Sequence, residues 1–229
     1  MVPVNARRLA RLGILLSAWL SATGAIGTCP FFKPTQPESP NRPPIIPDYS
    51  SPAATLLTMA KGVEDKSTSN GQSVYMDALA ESSAADPGDG RAFHAFFDLR
   101  DLQEHSTSWD RNRDWNKQLE PVMYSNLVRK YSYPYLMTWE PNEACPQGNC
   151  NDTESSTDAL LHRKYRIMGL VKRGTATDTL PVAIGAADLY FVKSASAVNK
   201  WVIALWQDFH TADADSAQVT LGQRRLDTQ

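Results

Sequence analysis

The sequence of 229 residues lacks the motifs that identify most well-defined functional sites. It contains no Gly-rich phosphate-binding loop, no cluster of metal-ligand residue types and no Gly-x-Ser-x-Gly turn of the kind that presents a catalytic serine. It also lacks a basic excess, because 23 Lys and Arg stand against 25 Asp and Glu. We therefore expect no cofactor, and the charge balance argues against nucleic acid as a partner.

Long apolar runs are missing too, with one exception at the N-terminus. Arg7, Arg8 and Arg11 precede an apolar stretch of about 15 residues over 12–26, and small residues follow it. This order predicts a signal peptide over residues 1–28. The stretch is short for a membrane-spanning helix, which needs roughly 20 residues. A buried N-terminal helix is the alternative, and the context of the arginine pair favours the general secretory route over twin-arginine export.

Cysteine is scarce, with three in the whole chain. Cys145 and Cys150 are close in sequence, and in an exported protein this spacing predicts a local disulfide. A disulfide that closes so small a loop stabilises a protein only modestly. A metal site is the alternative, but His162 stands alone as a further ligand.

Cys29 is the odd cysteine, and it follows the apolar stretch. The run Ile26-Gly27-Thr28-Cys29 resembles the end of a bacterial lipoprotein signal, in which a lipid-modified cysteine becomes the new N-terminus. Thr28 departs from the small residue that usually precedes this cysteine. The alternative is ordinary cleavage after Gly27 or Ala25, which would give a secreted soluble protein with a free thiol.

A proline-rich segment follows Cys29. Residues 30–52 hold eight of the 15 prolines, and this composition predicts an extended, disordered linker over 29–50. Such a tether favours lipidation and a location at the cell envelope, periplasmic or on the outer surface. Loss of the three N-terminal arginines leaves 20 basic against 25 acidic residues, a net charge near −5. We therefore expect membrane contact through a lipid anchor only.

The mature chain is predicted to form helices in its N-terminal part and strands in its C-terminal part. Ser51-Pro52 predicts a helix start, a second helix surrounds Val74 to Leu79, and residues 91–99 alternate like a strand. A third helix is predicted over 109–127, with a kink or a break at Pro121. Further strands are predicted in the C-terminal half, over 131–140, 159–171, 180–194, 200–210 and 219–221.

This order resembles the NTF2-like superfamily, whose strongly bent antiparallel sheet wraps around three helices as a cone. The resemblance covers residues 51–226. It is carried by the run from Tyr75 through Leu79 to Phe93, by Trp109 and Trp115, by Trp201-Val-Ile-Ala-Leu-Trp206, and by Val219-Thr-Leu-Gly222. It implies an α+β fold and an NTF2-like domain. The competing architecture is a generic α+β sandwich with helices on one face.

NTF2-like enzymes place Asp, His or Tyr inside the cone for proton abstraction. Asp188 and Tyr190 share one face of a predicted apolar strand, and an acid on an apolar face is a candidate for acid–base chemistry. His162 could partner Asp188. The alternative is that Asp188 pairs with Arg163 or Arg166 and that the histidine is an ordinary hydrogen-bonded one.

The aromatic residues Tyr133, Tyr135 and Trp139 could line a binding pocket, although strand propensity explains them equally well. We therefore expect a non-enzymatic module that binds a small molecule or an envelope protein. The alternative is a small acid–base enzyme of isomerase, dehydratase or cyclase type. NTF2-like domains often pair through their sheets, so a homodimer is a further expectation.

Overall fold

The computed structural model describes residues 44–81, 92–105, 115–132, 134–144, 148–194, 197–211 and 218–228. The predicted signal peptide and most of the predicted linker lie outside these ranges. So do Cys29, Trp109, Tyr133 and Cys145, all singled out from the sequence. The lipid anchor and the Cys145–Cys150 disulfide therefore stay predictions.

Helix α1, Pro52–Asp65, begins where the sequence predicts. The Ser51 side chain accepts a hydrogen bond from the Ala54 N–H, and Pro52 occupies the first turn, where its missing N–H costs nothing. Leu56, Met59 and Val63 form its buried stripe. Helix α2, Asn70–Asp77, follows after a short turn and packs against α1.

The region between α2 and the main sheet differs from the prediction. Strand β1 is only His94–Phe96, because the Asp98 side chain accepts from the Arg100 N–H and starts helix α3, Leu99–Glu104. Strand β2 is Trp115–Asn116, and helix α4 is Glu120–Arg129. Pro121 lies in the first turn of α4, where proline is tolerated, so it marks the start of a helix rather than a kink.

The C-terminal half forms the sheet. Its strands are β3 (Tyr135–Pro141), β4 (Thr153–Glu154), β5 (Asp158–Arg173), β6 (Ala176–Lys193) and β7 (Trp201–Phe209). The order across the sheet is β2-β1-β7-β6-β5-β3, with β4 beside β5; β1 and β7 are parallel, and the other pairs are antiparallel. Register shifts at Ile167/Met168 and at Tyr190/Phe191 mark bulges, which bend a sheet.

The predicted strand over 219–221 is wrong. The Thr220 side chain accepts from the Gln223 N–H and caps a short helix, α5, Leu221–Leu226. One strand-like bond precedes the cap, from the Ile184 N–H to the Val219 carbonyl. The chain therefore makes one hydrogen bond to β6 at Val219 and continues directly into helix α5.

The helices and the core lie on one face of the sheet, which we call the inner face. Trp139 of β3 donates to the Leu56 carbonyl of α1, and Tyr135 donates to the Leu127 carbonyl of α4. The predicted α+β class, with helices packed against a curved and mainly antiparallel sheet, is confirmed. Within the described residues, no helix combines the length and the apolar run that crossing a membrane would require.

Candidate functional site

His162 and Asp188 lie directly opposite each other on β5 and β6. The His162 Nδ1 and an Asp188 carboxylate oxygen are 2.5 Å apart, and the two residues are 3% and 6% exposed. The sequence-based pairing of these two residues is therefore present in the fold. A His–Asp pair of this kind fixes the imidazole orientation and leaves Nε2 as the nitrogen that would take up a proton.

The pair lies on the outer face of the sheet, away from the helices. Ala187 and Leu189 belong to the core, so the alternation of a strand directs Asp188 to the opposite side. The Arg163 guanidinium bonds Asp152 at 2.6 and 2.8 Å, so this arginine is not the partner of Asp188. Burial alone would raise the pKa of Asp152, but the bonds from Arg163 and the His162 N–H lower it.

Tyr190 shares the outer face with Asp188 but makes a separate contact. Its hydroxyl donates to Asp158 at 2.6 Å, at the start of β5. The structure thus brings His162 and Asp188 together and leaves Tyr190 in another hydrogen-bonded pair. The catalytic role of the three residues stays a prediction.

Tyr135 and Trp139 lie on the inner face. The Tyr135 hydroxyl bonds a helix carbonyl, and the Lys66 ammonium lies 4.2 Å from the centre of its ring. The Trp139 ring packs against Tyr165 and Trp206, with centroids 5.8 and 5.6 Å apart. These contacts explain both aromatics as core residues, and ligand contact by them stays a prediction.

A second set of buried charges occupies the inner face. We call Glu120, Asp208 and Arg225 the inner charge cluster; all three are fully buried. The Arg225 Nε donates to a Glu120 oxygen at 2.7 Å, and the guanidinium lies 4.6 Å from the centre of the Trp206 ring. Burial alone would lower the pKa of Arg225, but Glu120, Tyr75 and Asp208 outweigh it and raise the pKa.

Glu120 is held by neutral donors as well as by the arginine. Tyr75 of α2 and Trp115 of β2 each donate to its carboxylate at 2.8 Å. Burial and the neighbouring Glu120 raise the pKa of Tyr75, so the phenol stays protonated. Three separate elements therefore converge on one carboxylate, whose two oxygens accept three hydrogen bonds between them.

Asp208 is bound from the sheet and from α5. Tyr165 donates to it at 2.7 Å, and the Gly222 N–H donates to its other oxygen. Burial raises the pKa of Asp208 to about 6, although the Arg225 charge and these two hydrogen bonds lower it. Gly185 makes room for the tyrosine, because a Cβ there would lie 2.4 Å from the Tyr165 hydroxyl oxygen.

A third buried carboxylate anchors the same C-terminal segment. Asp101 of α3 bonds the His210 Nε2 at 2.7 Å and accepts from the Thr220 hydroxyl at 2.6 Å. The sequence did not predict this network. Asp208 carried a usable signal, since it is an acid beside apolar inner-face residues, whereas Arg225 stands in a polar tail that gives none.

The two sites differ in what they could do chemically. In the inner charge cluster Arg225 bonds Glu120 through its Nε, and Asp208 is bonded by Tyr165 and the Gly222 N–H. Within the described residues, the buried Nη1 and Nη2 atoms of Arg225 have no hydrogen-bond partner. The His162–Asp188 pair has the geometry of an acid–base couple at the outer face. Among the described residues, no group of three or more metal-ligating side chains converges.

No family model matches the sequence, and no curated protein matches it. Several solved structures, in contrast, are similar to this chain. The chain is similar to an NTF2-like superfamily protein from Salmonella enterica serovar Typhimurium, at 10% identity over 71% of this chain and 90% of that chain, with a TM-score of 0.40. It is similar to an NTF2-like protein with a cystatin-like fold from Novosphingobium aromaticivorans, at 6% identity over 71% and 80% of the two chains, with a TM-score of 0.41.

A protein from Kribbella flavida is similar at 11% identity over 76% of this chain and 93% of that chain, with a TM-score of 0.44. At these identities and TM-scores, nothing about activity or ligand passes from these proteins to this chain.

Proposed function

We propose that this chain is an exported protein, held at the cell envelope by a lipid on Cys29, whose residues 51–226 form a non-enzymatic NTF2-like binding module. The segment 29–50 is its tether. The observation that carries the non-enzymatic reading is the filling of the inner face by Arg225 and its partners. The NTF2-like resemblance implies that enzymes of this kind place their acid–base residues inside the cone, and here the buried side chains of Glu120, Trp206 and Arg225 pack on the inner face.

The anchoring is tested by metabolic labelling with radioactive palmitate, followed by envelope fractionation. The wild type should incorporate label and stay with the envelope, and Cys29→Ala should lose both properties. Cys150→Ala is the matched control, because it removes a cysteine from the segment between β3 and β4, far in sequence from the predicted signal peptide. Equal labelling of wild type and Cys29→Ala would contradict the lipid anchor.

The second candidate is an acid–base enzyme that uses His162 and Asp188, favoured by their 2.5 Å contact and their burial. A base that meets a substrate must be reachable at Nε2. Reaction with diethylpyrocarbonate, followed by mass spectrometry, should then modify His162 faster in the wild type than in Asp188→Asn. Absence of modification at His162 while His94 reacts would remove this candidate.

A further inference from the structure

A pocket of about 320 Å³ lies between the C-terminal ends of α4 and α5. Leu127 contributes an apolar wall, and Arg129, Lys130 and Arg224 contribute three cationic side chains. Asp227 is the carboxylate of the lining. The pocket therefore carries a formal charge near +2 in a protein whose predicted mature chain is acidic. Its volume lies at the small end of the range for ligand sites.

Arg224 is the fixed element of this pocket. Its Nε and Nη2 donate to the Val182 carbonyl of β6 at 3.1 and 2.8 Å, and its side chain is only 10% exposed. Its Nη1 lies 3.4 Å from an Asp227 oxygen, which is a long contact for an ion pair. The guanidinium is therefore oriented by the sheet and only loosely neutralised.

Asp227 also contacts His105. Its second oxygen lies 3.0 Å from the His105 Nε2, and the His105 Nδ1 contacts the Asp101 carbonyl. Burial alone would lower the pKa of His105, but the hydrogen bond to Asp227 outweighs it and raises the pKa. One oxygen of Asp227, the negatively charged residue of the lining, is thus engaged by His105 rather than by the three cationic side chains.

The cations also repel one another. Burial lowers the pKa of Lys130 and the Arg224 charge lowers it further, while Asp227 raises it. Basic residues at helix C-termini usually complement the helix dipole. That accounts for Arg129 at the end of α4, but it does not account for Arg224, whose bonds go to a strand carbonyl.

We propose that this pocket binds the phosphate monoester group of a small organic molecule, through Arg129, Lys130 and Arg224. A phosphate monoester carries nearly two negative charges and matches the net charge of the lining, whereas a single carboxylate matches half of it. An arginine guanidinium donates readily to phosphate oxygens, and Arg224, whose Nε and Nη2 bond Val182, would do so through Nη1, which makes only a long contact to Asp227. The remaining volume beside Leu127 accommodates a short organic group. This names the ligand class of the proposed binding module and so rests on that function.

The test is calorimetric titration of the purified protein at low ionic strength with glycerol 3-phosphate, inorganic phosphate and succinate. Glycerol 3-phosphate should bind most tightly, and the variant Arg129→Gln/Lys130→Gln should weaken it by about tenfold or more. The matched control is Lys172→Gln/Arg173→Gln, which removes the same charge at the exposed β5–β6 hairpin and should bind as the wild type does. Circular dichroism confirms folding, and Lys130→Gln alone is the substitute if the double variant unfolds.

Three results would overturn the proposal. One is equal binding by the pocket variant and the hairpin control, and another is succinate binding as tightly as glycerol 3-phosphate. The third is binding only to phosphatidylcholine vesicles that contain phosphatidic acid, which would assign the pocket to a lipid headgroup. Palmitate labelling is independent of all three, so a failure of the pocket is distinguishable from a failure of the anchored module.

Discussion

Two of the buried pairs of ionisable groups lie on opposite faces of the sheet and are built differently. The outer pair, His162 and Asp188, joins neighbouring strands and spans 26 residues of sequence. The inner pair, Glu120 and Arg225, joins two helices and spans 105 residues. Strand register alone brings the outer pair together, whereas the inner pair forms only when the C-terminus closes onto the core. Disrupting the inner pair should therefore destabilise the whole fold, whereas disrupting the outer pair should affect mainly the β5–β6 hairpin.

The largest effect is expected from Arg225→Met. The substitution leaves the Glu120 carboxylate buried without its cation, and breaking a buried pair in this way costs about 3–5 kcal/mol of unfolding free energy. Chemical denaturation followed by fluorescence measures the loss. Arg173→Met is the control, because its side chain is 73% exposed and pairs with Asp178 at the surface. Equal stability of the two variants would show that the inner pair does not hold the C-terminus.

The second effect is a pH dependence centred on Asp208. Its pKa is about 6 in the folded protein against an ordinary value of 3.8, so the folded state binds the extra proton between these values. The free energy of unfolding should fall as the pH rises from about 4 to about 6. The change is at most about 3 kcal/mol from this group.

Asp208→Asn removes the titrating group and should flatten the pH profile over that window. Denaturation midpoints measured from pH 4 to pH 7 for both proteins give the difference. Arg173→Met, at an exposed position, is the control and should keep the wild-type slope. Parallel profiles for wild type and Asp208→Asn would contradict the assignment of this slope to the inner face.

The same contrast explains which features could be predicted from sequence. Ser51-Pro52 signalled a helix start by local chemistry, and the alternation around Asp188 signalled a strand, so α1 and β6 were foreseen. That His162 could lie opposite Asp188 was predictable, because the pairing of two strands in one hairpin depends on residues close in sequence. In contrast, Glu120 beside Pro121 looks like an ordinary first-turn acid.

The rest of the site depends on tertiary contacts that no local pattern encodes. Arg225 belongs to a polar stretch, and only the closure of α5 onto the core makes it a buried cation. The helical turn at Thr220 replaced a predicted strand because the threonine caps a helix and bonds Asp101. The face on which Asp188 lies was also undetermined, since both faces of β6 carry apolar residues.

A third prediction concerns the support of Asp208 by Tyr165. In Gly185→Ala the new methyl carbon would lie 2.4 Å from the Tyr165 hydroxyl oxygen and 3.0 Å from the Phe209 carbonyl. The tyrosine must shift and weaken its bond to Asp208, at a cost of about 2 kcal/mol. Thermal denaturation measures this cost. In a Tyr165→Leu background the same alanine should cost less, and an unchanged cost would show that the backbone rather than the ring meets the methyl group.

The smallest effect is expected at the outer pair. In Asp188→Asn the amide oxygen can still accept a hydrogen bond from His162 Nδ1, so the loss should be about 1 kcal/mol, the difference between a hydrogen bond to a charged acceptor and one to a neutral acceptor. A double-mutant cycle with His162→Gln gives the coupling energy between the two residues, and a cycle of Glu120→Gln with Arg225→Met gives that of the inner pair. We expect the coupling energy of the inner pair to be the larger. Both of its members are fully buried, and one of them belongs to the C-terminal helix that packs onto the inner face. An outer coupling as large as the inner one would mean that the His162–Asp188 contact is itself a structural charge pair. The contact geometry would then need no acid–base role to explain it.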